Sequence, residues 1–492
     1  MKKKIIVIGG GFAGLSAATT LAKEGYDVTL LEKNTEAGGR ARKLVIDGFT
    51  FDMGPSWYWM PDVFESYFSR FNTSVTERYE LLRLDPSYAV FFGKDEVMRI
   101  PASLNEFYAL FEKYEPGSSK QLKKFLEEAE YKYKVSMSDF VHKPSLSLFE
   151  FMDLRILNAA LKMDLFKSIS AYIRKHFKDK RLIQLLEFPV LFLGAKPNET
   201  PALYSMMNYA DIVLGTWYPM GGMHRIVEAM IAVAGQQGVK LLCGQNVSKI
   251  DTRNGRATGV VSNGKTYEAD AVISAADYHH TEQLLLEEKN RNYGEDYWKF
   301  RKMAPSCLMY YIGIDKKIEG LEHHNLFFDT PFDLHAEEIY DRPQWPTQPL
   351  FYSTCASKTD KSVAPEGKEN LVLLIPIAVD IEDTEAIREK YFDIMMDRLE
   401  YLTGQEIKKH VIVKKSYAIN DFKKDYNSFG GNAYGLANTL RQTAILKPSL
   451  KNKKVRNLYY AGQLTVPGPG VPPSIISGQV AAKELMKRMG RL

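Results

Sequence analysis

The sequence predicts an α/β protein built on a dinucleotide-binding domain that the chain leaves and re-enters. A mixed-sheet domain and a helical subdomain are inserted between its segments. Three stretches predict it: a βαβ unit with a glycine-rich turn at residues 4–32, a helix and strands at residues 219–277, and a strand, Pro/Gly loop and helix at residues 457–489.

Ile5-Ile6-Val7-Ile8 is a short apolar run bounded by glycines, the pattern of a strand buried on both faces. It runs into Gly9-Gly10-Gly11-Phe12-Ala13-Gly14, which fits G-x-G-x-x-G. Leu15, Ala18, Leu21 and Ala22 then recur at helix spacing, Gly25 stops the helix, and Val28–Leu31 is a second strand. Glu32 closes it, 18 residues after Gly14, near the ~20 that places an acid on a ribose. Gly9 permits the tight turn, Gly11 admits a pyrophosphate to the backbone, and Gly14 lets the helix pack on the strand. Phe12 and Ala13 fill the motif's variable positions, and the helix read from Leu15 turns its N-terminus to the phosphates. Glu32 can accept both adenosine ribose hydroxyls and would repel a 2′-phosphate; Lys33 follows it. A glycine-rich turn arising by chance would lack the flanking strands, helix and acid.

A second glycine pair, Gly38-Gly39, precedes Arg40 and Arg42, and Phe51-Asp52-Met53-Gly54-Pro55-Ser56 follows. Gly39 lets another backbone segment reach the cofactor, and Arg40 can neutralise a pyrophosphate or lie against a ring. This span resembles the extended dinucleotide motif of FAD-containing amine oxidases and carotenoid desaturases. The resemblance implies FAD rather than NAD, with Gly54, Pro55 and Ser56 near it. Trp57-Tyr58-Trp59 comes next, readable as a packed core loop or as an aromatic wall of the substrate site.

The 492 residues suffice for two or three domains and a sizeable core. With 65 basic and 60 acidic side chains the net charge is +5, too mild to argue for nucleic acid. Cys243, Cys307 and Cys355 are scattered and odd in number, which fits a reducing compartment and gives neither a disulfide framework nor a metal-ligand spacing. No metal is expected. Met1–Lys4 and four apolar residues resemble the start of a signal peptide, but Gly9–Gly11 cut the run short. No uninterrupted apolar run reaches the roughly 18 residues of a membrane span.

Segments 1–70, 215–284 and 441–492 are assigned to the dinucleotide domain, 71–140 and 285–440 to the mixed-sheet domain, and 141–214 to the helical subdomain. In the last, Leu154, Leu157, Leu161 and Leu165 lie on one helical stripe, widened by Ile156, Met163, Phe166, Ile169 and Ile173. Lys167, Arg174, Lys175, Lys178, Lys180 and Arg181 adjoin it. The pattern reads as a helical domain with a solvated basic face or as a membrane-docking surface. The return at Pro219–Ala234 is a helix, followed by short strands that include Val247, an Asn263-Gly264 hairpin turn and a buried strand ending at Ser274. His279-His280 and His323-His324 read as structural or loop residues.

At the C-terminus, Asn457–Gly462 is a strand ending in glycine, and Gln463 follows. Pro467-Gly468-Pro469-Gly470-Val471-Pro472-Pro473-Ser474 is a rigid loop that starts a helix at Ser474. Aimed at a flavin, that helix N-terminus would favour the anionic reduced form.

Residues 9–40, 51–56, 270–277, 431–436 and 457–478 together resemble the bacterial-type phytoene desaturases, over nearly the full length. Gln463 and the bulky Pro473-Ser474-Ile475-Ile476 depart from the family's small residues and bear on substrate choice. The resemblance implies desaturation of a long polyene by hydride transfer to FAD, in carotenoid biosynthesis. It also implies an apolar tunnel and a protein attached peripherally to the cytoplasmic face of a membrane, with quinone or oxygen as acceptor. It extends the cofactor contacts to Val247, Gly462, Gln463, Gly470, Val471 and Ser474, and leaves the general base unassigned. A carotenoid isomerase and an amine oxidase are the competing activities on this scaffold.

Overall fold

The computed structural model describes residues 2–151, 167–439 and 441–490. Its centre is a five-stranded parallel sheet ordered Leu458–Tyr460, Ala271–Ser274, Lys4–Ile8, Asp27–Leu31, Lys240–Leu242. Strands from the two later segments therefore complete the sheet that the βαβ unit begins. Ile5, Val7, Val28 and Leu30 are wholly buried, as strands covered on both faces require. An antiparallel meander, Val247–Arg253, Arg256–Ser262 and Lys265–Glu268, lies beside it. Its two turns are Asn-Gly pairs with all four φ positive: Asn254 at 51°, Gly255 at 68°, Asn263 at 48° and Gly264 at 75°. These are the two-residue turns whose twist matches a hairpin.

The second sheet has seven strands. Their order is Val411–Tyr417, Ser306–Ile314, Glu369–Ile377, Phe351–Thr354, His324–Phe327, Tyr88–Gly93 and Glu96–Ile100. Every neighbouring pair is antiparallel except His324–Phe327 with Tyr88–Gly93, so the sheet is mixed as expected. All nine residues of Ser306–Ile314 are buried. Helix Glu385–Thr403 covers one face of this sheet through Phe392, Met395, Met396 and Leu399.

Helix α1 (Phe12–Lys23) begins at Phe12, three residues before the apolar spacing becomes visible in the sequence. It lies between helix α2 (His224–Gln236) and helix α3 (Val471–Arg488). α3 also starts three residues early, at Val471, because Pro472 and Pro473 fit the first turn rather than precede it. The approach of α1 to its neighbours is set by glycine. A Cβ on Gly14 would stand 1.8 Å from the carbonyl oxygen of Gly9, and one on Gly478 would stand 2.2 Å from that of Ala13. Ser16 Oγ donates to the Ile475 carbonyl at 2.7 Å and joins the two helices.

The leucine-rich stripe assigned to the helical subdomain, Leu154 to Phe166, lies outside the described residues. Ile169 and Ile173, assigned to the same outer stripe, are fully buried on helix Ile169–His176, because that face packs inward. Arg174 pairs with Glu187, and Arg181 with Asp179 and Glu96, so two members of the basic cluster are held in ion pairs. Lys175, Lys178 and Lys180 are exposed. Among the described residues no helix is long and apolar enough to cross a membrane.

Gly478→Ala forces a methyl into the α1–α3 contact. It is expected to lower stability by about 1–3 kcal/mol, the range for overpacking a close contact. Urea unfolding should show a lower midpoint at unchanged slope; an unchanged midpoint would mean that the contact is slack.

Candidate active site

Between the two sheets runs one continuous cavity of about 530 Å³. At one end it is walled by the glycine loops. The amide of Gly9, with φ 96°, donates to Leu31, and the amide of Gly38 to Gly10, both at 2.8 Å. A Cβ on Gly39 would lie 3.3 Å from the Cα of Gly11, and one on Gly54 would lie 2.6 Å from the Arg40 carbonyl oxygen. Three glycine-bearing loops thus stack backbone on backbone and leave main chain at the cavity surface. Gly14 is not on that surface; its work is the close packing of α1 on the first strand. Phe12 and Ala13, at the start of α1, line the cavity.

Glu32 is 5% exposed and lines the same end. Its Oε2 accepts the Gly10 amide at 2.7 Å and its Oε1 accepts the Asn34 amide at 2.8 Å. Each oxygen keeps lone pairs for a diol. Lys33 also borders the cavity and donates to the Lys424 carbonyl and, at 3.4 Å, to Asn427; burial lowers its pKa. Val247 is a buried wall residue here.

Arg40 shows what this end is built to hold. Its Nη2 donates to Ser428 Oγ and to the Asn432 carbonyl, each at 3.1 Å, and its guanidinium lies 4.9 Å from the centre of the Tyr426 ring. Its Nε is buried without a hydrogen-bond partner. The hydrogen-bond partners of this buried cation are neutral oxygens and Asp277 acts on it only through space, so the partnerless Nε leaves a place for a second anion. Lys447 is a second buried basic side chain, beside Gly468 of the C-terminal loop. Its Nζ is buried without a partner, and burial pushes the ammonium down to about 7. That Nζ and Asn438 Oδ1, also unpartnered, each lie 3.2 Å from where a Gly468 Cβ would be. A cradle of main chain, an acid for a diol and a buried guanidinium with a partnerless Nε fit an FAD molecule.

The C-terminal loop closes this end. Gly462 has φ 111° and its amide donates to Ser477 Oγ at 3.0 Å. Gln463 Nε2 donates to Asn432 Oδ1 at 2.9 Å, and Gly435 leaves room for its side chain. Gly462, Gln463, Gly470, Val471 and Ser474 all line the cavity. The expected row of amides at the α3 N-terminus is reduced to one. Pro472 and Pro473 have no N–H, and the Ser474 amide is bonded to the Gly470 carbonyl at 3.0 Å, which leaves Val471.

At the far end the wall is apolar: Trp57, Trp59, Phe188, Met207, Phe328 and Leu374. Pro55 and Ser56 stand where the two ends meet. Trp57 and Trp59 line the cavity, whereas Tyr58 does not. An extended segment sends alternate side chains to opposite sides. Tyr58 stacks on Phe64 at 4.2 Å, and its hydroxyl meets that of Tyr79 at 2.9 Å, inside the core. Asp211, wholly buried behind Trp59, has its carboxyl pushed up to about 7 by desolvation while Tyr88 and Thr216 donate to it at 2.8 and 3.0 Å.

Cys307 and Tyr352 line the wall without a local sequence signal, whereas Asp277 and Tyr434, also on the wall, lie in stretches that carry the resemblance. Burial pushes the Cys307 thiol up to about 12, so it serves as an apolar wall. His324, readable as a loop residue, sits in a strand with no exposure. It stacks face to face on Trp57 at 4.2 Å and 12°. Among the described residues no cluster of His, Cys, Asp and Glu could hold a metal.

The chain belongs to the flavin-containing amine oxidoreductase family, whose model matches residues 12–486. The fold agrees: an oxidoreductase from Methanosarcina mazei superposes with TM-score 0.64 at 19% identity, covering 98% of this chain and all of that one. Cyclohexylamine oxidase from Brevibacterium oxydans gives TM-score 0.60 at 15% identity, with both chains wholly covered. Within the family the chain groups with the carotenoid desaturases. It is 39% identical to the carotenoid 3,4-desaturase of Haloarcula japonica, over 98% of each chain. It is 30% identical to the ζ-carotene-forming phytoene desaturase of Myxococcus xanthus, over 98% of this chain and 94% of that one. Its cofactor is FAD.

Glu32→Ala should weaken FAD binding by about 1.5–3 kcal/mol for each charge-assisted hydrogen bond lost. Flavin fluorescence quenching titrations would measure this; an unchanged affinity would remove Glu32 from the ribose site.

Proposed function

We propose that this protein desaturates an acyclic or monocyclic carotenoid, removing two hydrogens per double bond formed. The observation that carries the reading is the continuity of the cavity, whose one end suits a dinucleotide and whose other is walled by aromatic and aliphatic side chains. An aromatic cage would also suit an amine, and the desaturase names of the relatives 39% and 30% identical over nearly the whole chain support the polyene instead. When bound, FAD supplies a two-electron acceptor for hydride from an unactivated C–H. The chain's residues do the rest. Glu32 and Lys33 fix the adenosine end, and Arg40 with the Gly9–Gly14 and Gly38–Gly39 loops holds the pyrophosphate. Gly54 to Ser56, Gly462, Gln463, Gly470, Val471 and Ser474 border the ring, and Val247 closes the adenosine side. Trp57 and Trp59 keep water from a cationic polyene, which would otherwise be hydrated. The 39% identical relative, named a 3,4-desaturase, supports a later intermediate over phytoene. Anaerobic mixing with acyclic carotenoids in liposomes should bleach the flavin and give a product lighter by two hydrogens. An isomer of unchanged mass, formed only with pre-reduced flavin, would replace desaturation with isomerisation.

An oil-soluble substrate also calls for contact with a bilayer. Exposed Phe149 (79%) and Leu146 (41%), with exposed Lys175, Lys178 and Lys180, support a docking face on the helical side. At about 1 kcal/mol per basic residue near anionic lipid, reversing these three lysines to Glu should weaken liposome co-sedimentation by roughly 10²-fold or more. Equal binding of the parent to neutral and anionic vesicles would remove the electrostatic part.

A further inference from the structure

Desaturation removes two hydrogens in different forms. One leaves with its bonding pair as hydride, to the flavin; the neighbouring C–H must then give up a proton while its electron pair becomes the new π bond. This inference rests on the desaturase reading and asks where that proton goes.

A chain of hydrogen bonds leads from the cavity wall into the mixed sheet. Ser56 and Tyr352 both line the cavity. Ser56 Oγ lies 2.9 Å from Tyr352 Oη, and Tyr352 Oη lies 2.6 Å from His324 Nδ1. His324 is the inner end: fully buried, with its Nε2 unpartnered. Strands His324–Phe327 and Phe351–Thr354 pair antiparallel with Leu326 opposite Tyr352, so sheet register brings the two rings together. We propose that Ser56, Tyr352 and His324 form the proton acceptor of the reaction: the substrate proton passes to Ser56 Oγ as the Ser56 proton moves to Tyr352 and the Tyr352 proton moves to His324 Nδ1.

The balance closes. Each hydroxyl loses one proton and gains one, the polyenyl cation becomes neutral, and the imidazole takes up the positive charge. Its desolvation holds the ring neutral, hence able to accept, before the reaction. The imidazolium then lies flat on the indole of Trp57, where a cation–π contact favours it. A polyenyl cation is strongly acidic beside its charge, so an acceptor of low basicity suffices. A place for the proton to leave from adjoins the chain. Ser56 borders a second cavity of about 20 Å³, lined by Asp52, Tyr218 and His323, with room for one water. The proton returns along the chain to Ser56 and leaves on that side. Ser56 is the catalytic residue, and Tyr352 and His324 act through it.

Single-turnover desaturation in the FAD-loaded enzyme tests this with Tyr352→Phe, His324→Gln and the double variant. Each single change should slow the reaction by about 10²–10⁴-fold, the usual share of general acid–base catalysis. The double variant should be no slower than the slower single, because one chain is being cut twice. Flavin content and carotenoid retention should match the parent. Selective 15N-histidine NMR, with the His324 resonances assigned by their loss in His324→Gln, should show Nε2 protonated and Nδ1 accepting. Parent rates in Tyr352→Phe, additive losses in the double variant, or the opposite tautomer would each overturn the relay. Losses matched by lost carotenoid binding would overturn it in favour of a packing role. A parent that only isomerises its substrate would overturn the desaturase reading itself, a failure seen before any variant is made.

Discussion

Helix α1 can bind a dinucleotide only because nothing stands between it and the first strand. The carbonyl oxygen of Gly9 occupies the space a Gly14 Cβ would need, and the Ala13 carbonyl occupies that of a Gly478 Cβ. The helix that presents its N-terminus to the cavity is therefore clamped at residues 13–17 by main chain from α3, about 460 residues later in the chain. The parallel sheet follows the same logic: its outer strand Leu458–Tyr460 leads through the Gly462 turn into α3. The sheet order, the cavity floor and the closure by the C-terminal loop all depend on that contact.

The cavity places unlike solvents side by side. A buried cation hydrogen-bonded only to neutral oxygens, Arg40, borders one end, while indole and aliphatic walls form the other. Such a cation is costly in a protein that holds nothing there. The cost is offset when an anionic cofactor arrives, so the site's own electrostatics select what fills it. The apolar end then receives a chain of low polarity in a place from which water is kept. The hydrogen-bonded Ser56, Tyr352 and His324 sit at the junction, where charge must be moved without opening the apolar wall.

The sequence by itself determined the βαβ unit, the second glycine pair and the strand–loop–helix at the C-terminus. Their signals are local: glycine at positions that admit no Cβ, an acid at fixed spacing, apolar runs of strand length. Boundaries drifted by three residues at α1 and α3, because helix starts are made by phosphate-facing residues and prolines rather than by the apolar periodicity that marks helix middles. The tertiary structure alone decided which side chains reach the cavity. Tyr58 left it because the segment is extended and alternates. Tyr352 and His324 came together through antiparallel register, across 28 residues of chain. Arg174 and Arg181, alike in sequence to the exposed lysines beside them, were drawn into ion pairs with Glu187, Asp179 and Glu96. A one-dimensional pattern records spacing along the chain; contacts between distant segments depend on how sheets register and pack.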